Sequence, residues 1–272
     1  MMHAENTFVE RSDTTNEKAY ALVTGASSGI GKELCKELAD RGRSILAVSD
    51  QSEKLDHLQE EINTRFETTV ITFCIDLSRP SSAEELYTWI KDQGINLDML
   101  INNAGILYHQ EFESLSKEQV EKLIHLHMTT TTLLCSYFVQ QISGMNKSYI
   151  LNVSSISAKM PYPTISLYGP SKDFIRQFTR ALRFELRPKG VNVCCLIPGA
   201  TDTSLYDLSD PDRKKAKLLG VMTCPGSVAK KAIYALFKNK AECVPGLMNR
   251  FILMITTIVP YSLISFIYRL RK

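Results

Sequence analysis

Short apolar runs alternate along the chain with segments whose apolar residues recur at helical spacing, the pattern of successive βαβ units. Tyr20–Thr24 reads as a first strand. Gly29–Arg41 reads as a helix with Ile30, Leu34 and Leu38 on one face. The alternation continues with strands at Ser44–Ser49, Val70–Asp76, a short Met99–Asn102, Tyr149–Ser154 and Val191–Ile197. Between them the spacing predicts helices at Ser52–Thr64, Ser81–Gln93, Ser116 to about Ile142, and Tyr168–Leu186, the last stopped by Pro188. Val228–Lys238 is a further helix, and Glu242–Val244 is a candidate seventh strand at a sheet edge. The expected architecture is α/β: one doubly wound, mostly parallel sheet with helices on both faces and an apolar helical extension at the C-terminus. No linker or repeat divides it. Residues 1–18 are expected to form a flexible leader, 19–246 a single domain, and 247–272 the extension.

Composition narrows the function classes. The chain has 272 residues, 44% hydrophobic and 22% charged, enough for a sizeable core. A net charge of +3 gives no footprint for nucleic acid. Seven cysteines stand at 35, 74, 135, 194, 195, 224 and 243, with no CxxC spacing. An odd, scattered set argues against a disulfide framework or a metal site and for a reducing compartment. Cys194 and Cys195 fall inside a predicted buried strand and read as small hydrophobes. The polar leader lacks the apolar core of a signal peptide, so a cytoplasmic protein is expected.

The corner after the first strand is Thr24-Gly25-Ala26-Ser27-Ser28-Gly29-Ile30-Gly31. Three glycines between a strand and a helix suit a tight turn whose backbone approaches a pyrophosphate, with the N–H groups of the helix start facing the phosphates. An ordinary left-handed turn is the plain alternative. About 20 residues further on, the second strand ends at Ser49-Asp50. A carboxylate there accepts hydrogen bonds from ribose hydroxyls and repels a 2′-phosphate, which favours NAD over NADP. A shift of one residue would put Ser49 in that position, and Asp50 could equally cap the next helix.

Tyr168 and Lys172 are four residues apart at a helix start and share a face. A phenol with a reference pKa of about 10 is a poor base at neutral pH, but a cation one turn away favours the phenolate. Tyr168 could then exchange a proton with an alcohol or carbonyl oxygen. Ser155, at the end of a predicted strand, could hold that oxygen. An exposed helix pair is the plain reading of Tyr-x-x-x-Lys alone.

In combination and order, these pieces resemble the short-chain dehydrogenase/reductase family. The matching segments are the Thr24–Gly31 turn, Asp76-Leu77, Asn102-Asn103-Ala104-Gly105, Asn152-Val153-Ser154-Ser155, Tyr168-Gly169-Pro170-Ser171-Lys172, and Pro198-Gly199 followed by Thr203. The resemblance implies a Rossmann-like fold and hydride transfer between a nicotinamide and a secondary alcohol or carbonyl. It implies Asp76 near the adenine, Asn103 holding sheet centre and cofactor, Lys172 on the nicotinamide ribose, and Thr203 on the carboxamide. It also exposes a departure. The family's asparagine in the long helix, which supports a water in the proton relay, is matched here by His127, or by Met128 on simple counting back from Tyr168. A histidine can bind a water or pass a proton; the competing reading is that it only fills a helix bend.

Phe251–Tyr268 carries no charge and is followed by Arg269, Arg271 and Lys272. It reaches the length at which a membrane span must be considered, but Pro260 and several hydroxyl residues weaken that case. Packing on the cleft or on another subunit of a homo-oligomer is the first expectation, and peripheral attachment to a membrane through 247–272 the second. Residues Ala200 to about Val221 are expected to cover the cleft, which would suit an apolar, lipid-like small-molecule substrate, although a solvated surface helix reads as well. The expected function is an NAD(P)-dependent dehydrogenase or reductase. The alternatives are a dinucleotide-sensing or scaffold protein with little turnover, and an interaction protein led to a membrane surface by its tail.

Overall fold

A computed structural model describes residues 18–142, 147–159, 162–203, 205, 214 and 222–256. The strands are β1 (Ala19–Thr24), β2 (Ser44–Ser49), β3 (Val70–Cys74), β4 (Asn96–Asn102), β5 (Ser148–Val153), β6 (Val191–Leu196) and β7 (Glu242–Cys243). They form one sheet in the order β3-β2-β1-β4-β5-β6-β7, every pair parallel. Each parallel step needs a crossover. These are α1 (Gly29–Ala39), α2 (Ser52–Arg65), α3 (Ser82–Asp92), the rod α4 (Lys117–Ile124) and α5 (Thr131–Gln141), α6 (Tyr168–Leu186) and α7 (Pro225–Phe237). A last helix, α8 (Leu247–Thr256), follows β7. The expected doubly wound sheet is present, including the seventh edge strand.

Because both faces are covered, successive strand residues bury on opposite sides. Ala21 and Val23 of β1 join Leu34 and Leu38 of α1, Leu58 and Ile62 of α2, and Ile233 and Leu236 of α7. Leu22 joins Leu86 and Ile90 of α3, Leu134 and Phe138 of α5, and Leu186 of α6 on the other side. Cys194 and Cys195 are buried in β6, as their apolar context predicts.

Two elements differ from expectation. β4 begins three residues earlier than its apolar run, at Asn96. The pairing with β1 shifts register between Tyr20 and Ala21, which bulges Asp98 out of the ladder. Its carboxylate takes both oxygens to Arg43, so a charged residue is tolerated inside the strand. The long helix is also not uniform. Its centre, His125–Thr130, is a π turn between two α segments. Apolar periodicity does not register such a turn, because one wider turn barely disturbs the buried stripe. A capping box of Ser116 and Gln119 starts the rod. The expected leader up to residue 17, most of the cleft-covering segment and the tail beyond residue 256 lie outside the described residues.

The corner between β1 and α1 has no spare volume. A Cβ on Gly31 would stand 2.1 Å from the Gly25 carbonyl oxygen and 2.5 Å from Asn103 Nδ2. Gly25 itself has φ +64. Gly31→Ala therefore has to push α1 off the sheet, at a cost of about 1–3 kcal/mol. Urea unfolding of the full chain should show that loss, and an unchanged midpoint would contradict the packing described.

Candidate active site

The carboxyl ends of β1, β4, β5 and β6 open onto a cleft of about 530 Å³. The strand order reverses at β1, with β2 on one side and β4 on the other, and such a switch point leaves a crevice for a ligand. Its corner is tied by Thr24. The Thr24 hydroxyl accepts the N–H groups of Asn103 and Ala104, each at 3.0 Å, and Asn103 Nδ2 donates back to the carbonyls of Thr24 (3.0 Å) and Gly25 (3.2 Å). The glycine turn and the Asn103–Ile106 loop are thus one unit.

The wall of the cleft gathers nearly all of the residues singled out in the sequence. Gly25, Ser27, Ser28, Gly29 and Ile30 line one end, and Asp50, Asp76 and Leu77 lie beyond them. Asn103, Ala104 and Gly105 form the floor, with Ser155, Tyr168, Lys172, Pro198, Gly199 and Thr203 around the far end. Gly29 has φ +54, and a Cβ there would come within 2.8 Å of Thr203 Cγ2, so the turn and the loop after β6 close on each other. Thr24 and Gly31 support this wall from behind. A glycine-rich backbone leading into a helix whose first-turn N–H groups lack intrahelical partners fits a dinucleotide pyrophosphate.

Beside the glycine turn, Ser49 is buried, and its hydroxyl lies 2.8 Å from Ser27 Oγ and 3.2 Å from Asp50 Oδ1. Asp50 is exposed at the rim and Ser49 braces the turn, while the N-cap of α2 is Gln51 and not Asp50, so the capping alternative does not hold. A recess beside this corner is lined by Lys32 and Lys54. Lys32 is paired with Glu61 at 2.9 Å. Burial pushes the Asp76 carboxyl up, but two hydrogen bonds from Ser78 outweigh it and hold the group below the ordinary value.

At the other end, Tyr168 and Lys172 open α6 and are 7% and 3% exposed. The Lys172 ammonium stands 5.6 Å from the Tyr168 ring centroid and donates to the Val153 carbonyl at 3.1 Å. Burial pushes its pKa down to about 8. Ser155 is buried, and its Oγ accepts from the N–H (3.2 Å) and hydroxyl (2.8 Å) of Ser157. His127, not Met128, faces this group: its ring meets Tyr168 edge-on at 5.7 Å and is fully buried. Burial, helped by the Lys172 charge, holds its imidazole well below the ordinary value, so it is neutral at physiological pH.

Three supporting residues were not singled out in the sequence. Ser154 donates to the Lys172 carbonyl at 2.7 Å and fixes the start of α6 to β5. Ser171 links His127 to α6. Asn249 of α8 is buried against Gly199, where a Cβ would meet its Oδ1 at 2.2 Å, and its Nδ2 donates to Pro245. An amide among the apolar residues Leu247, Met248, Phe251 and Ile252 was the available signal for Asn249, and Ser171 stands inside the Tyr168–Lys172 motif.

Fold and cleft define a dinucleotide-binding α/β protein. The profile of the short chain dehydrogenase family matches residues 19–214, and the chain belongs to that family. It is 34% identical over 191 residues to mouse (Mus musculus) 17-beta-hydroxysteroid dehydrogenase type 3, covering 68% of this chain and 61% of that one. It is 32% identical over 198 residues to very-long-chain 3-oxoacyl-CoA reductase of Bos taurus, covering 71% and 62%. The chain thus spans less than two thirds of the length of these relatives. Among solved structures, a short-chain dehydrogenase from Sphingobium yanoikuyae in complex with NADPH superposes with a TM-score of 0.76 at 25% identity, covering 91% and 95% of the two chains. A 7beta-hydroxysteroid dehydrogenase shares the fold with a TM-score of 0.79 at 23% identity, covering 87% and 90%.

The depressed Lys172 value has a consequence for stability. The unfolded chain binds this proton up to about pH 10.5, the folded chain only up to about pH 8. Raising pH across that window therefore favours the folded state, and below it the buried cation costs the full difference, a few kcal/mol at about 1.4 kcal/mol per pH unit. Lys172→Met should gain stability relative to the parent at pH 7, and the gain should shrink toward pH 10 in urea titrations. A difference that does not vary with pH contradicts the buried charge.

Proposed function

We propose that the chain transfers a hydride between a nicotinamide cofactor, NAD or NADP, and a secondary alcohol or carbonyl substrate. The observation that carries this reading is one cleft lined at one end by the glycine turn and at the other by Ser155, Tyr168 and Lys172. A nicotinamide bound there supplies or accepts the hydride. The chain's own part is proton handling and orientation. The Ser155 hydroxyl holds the substrate oxygen. In the oxidation direction the Tyr168 phenolate takes the hydroxyl proton of the alcohol; in reduction the phenol returns a proton to the carbonyl oxygen. The Lys172 ammonium, kept out of water, stabilises the phenolate and reaches the ribose. Asp76 holds the adenine end, and Thr203 the carboxamide.

The names of the two relatives support a lipid-like substrate, steroid or long acyl chain, and Leu107, Leu126 and Leu205 give the cleft apolar wall. Two surfaces bear on partners. Contact with a second copy of the chain is part of this reading, with Phe184 of α6, 75% exposed, as the residue to test in it. α8 exposes Leu247, Met248 and Phe251 next to Arg250, which supports peripheral contact with a lipid surface. Among the described residues no helix is long and apolar enough to cross a membrane.

Asp50 at the rim favours NAD; the recess with Lys32 and Lys54 is the observation on the side of NADP. Fluorescence titration of the purified chain should give tighter binding of NADH than of NADPH, and Asp50→Ala should narrow the ratio by about 10-fold. Tighter NADPH binding by the parent removes the NAD preference.

Tyr168→Phe separates an enzyme from a dinucleotide sensor. On a panel of hydroxysteroid and 3-oxoacyl substrates it should lower kcat by about 10²–10⁴-fold while leaving the dinucleotide Kd within about two-fold. Turnover that survives the substitution excludes Tyr168 as the acid/base.

A further inference from the structure

His127 sits where four groups converge, and its hydrogen bonds leave it one tautomer. The Ile106 N–H donates to Nε2 at 3.1 Å, so Nε2 carries no proton. A neutral ring must then be protonated on Nδ1, which lies 2.8 Å from Ser171 Oγ and donates to it. The Ser171 hydroxyl in turn donates to the Tyr168 carbonyl at 2.8 Å. The chain of bonds runs in one direction, from the loop that floors the cleft, through the π turn, to the first turn of α6. Both ring nitrogens are in use, and neither is open to a water or a substrate proton.

The surroundings hold the ring in this state. It is fully buried. The titratable groups that act on it are Lys172 and Tyr168, both from α6, while the loop side presents the backbone of Gly105 and Ile106. A proton on Nε2 would break the bond from Ile106 and place an imidazolium beside the Lys172 ammonium. The space is shared closely: a Cβ on Gly105 would meet His127 Nε2 at 3.1 Å and Lys172 Nζ at 3.3 Å. A residue of any size at 105 would wedge the imidazole and the ammonium apart.

We infer that His127 is a positioning residue and not a proton carrier: with Ser171 it clamps the Asn103–Ile106 loop to the Tyr168 carbonyl, and so sets where the Tyr168 side chain stands over the cleft. The catalytic half of this inference rests on Tyr168 as the acid/base; the clamp itself does not. Loss of the clamp lets the first turn of α6 drift relative to the cleft floor. An error of about 1 Å in a reacting group can cost about 100-fold in rate, so the effect falls on kcat and not on binding of the adenine end.

Nitrogen-15 NMR of the full chain without any ligand reads the clamp directly, with the His127 signals assigned by their loss in His127→Gln. The expected pattern is a protonated Nδ1 and an unprotonated Nε2, unchanged from about pH 8 to about pH 5.5. An Nε2–H tautomer, or a titration within that range, overturns the inference. The second arm is kinetic. Ser171→Ala should lower kcat by about 10-fold with the dinucleotide Kd within about two-fold, and Ser171→Thr, which keeps the hydroxyl, should restore most of the rate. An unchanged kcat in Ser171→Ala overturns the positioning role even if the tautomer is as expected. If Ser171→Ala does not fold, the tautomer measurement on the parent still decides. If Tyr168→Phe retains turnover while the tautomer holds, the acid/base reading fails and the clamp stands.

Discussion

The lock between Thr24 and Asn103 is the contact on which the rest of the site depends. One hydroxyl at the end of β1 receives two backbone N–H groups from the segment leaving β4, and the Asn103 amide returns to two carbonyls of the glycine turn. These groups lie where the sheet's connections diverge, so neither strand alone could satisfy them. Tying them together fixes the glycine turn and the cleft floor in one frame. Gly31 then has to be glycine, because α1 descends directly onto that frame.

The other end of the cleft is organised by charge. Lys172 is a cation brought out of water beside a phenol, and its depressed pKa expresses the cost. One carbonyl, that of Val153, accepts from it. Its neighbours must therefore not add positive charge. His127 meets that requirement by being neutral, with its proton directed away from Lys172 toward Ser171. The two ends are connected through backbone: Ser154 and Ser171 fasten the start of α6 to β5 and to the π turn. The packing holds the Tyr168 phenol and the Lys172 ammonium in fixed register, as the proposed acid/base role requires.

Membership of the short chain dehydrogenase family accounts for the fold and for the order of the motifs, while the substrate reading depends on relatives of which this chain spans only part. The C-terminal helix adds a feature specific to this end of the chain. Asn249 fills the space over Gly199, so a helix with exposed apolar residues is packed directly on the loop that closes the cleft.

Much of this was legible in the residues themselves. Buried parallel strands need near-continuous apolar runs and the covering helices need a stripe, so the βαβ order and most of the core followed from periodicity. Glycines at a strand-to-helix corner and a tyrosine four residues before a lysine are local patterns with local causes, and the turn and the Tyr168–Lys172 pair were readable for that reason. What spacing does not contain is contact between distant segments. That His127 rather than Met128 faces the site depends on a π turn that leaves the apolar pattern intact. That Asp98 is tolerated in β4 depends on Arg43 lying 55 residues away. The tautomer of His127 follows from partners 21 and 44 residues distant. The sequence by itself determined which elements form and which chemical groups are available; tertiary packing decided burial and hydrogen-bond partners, and with them the charge state and role of each group.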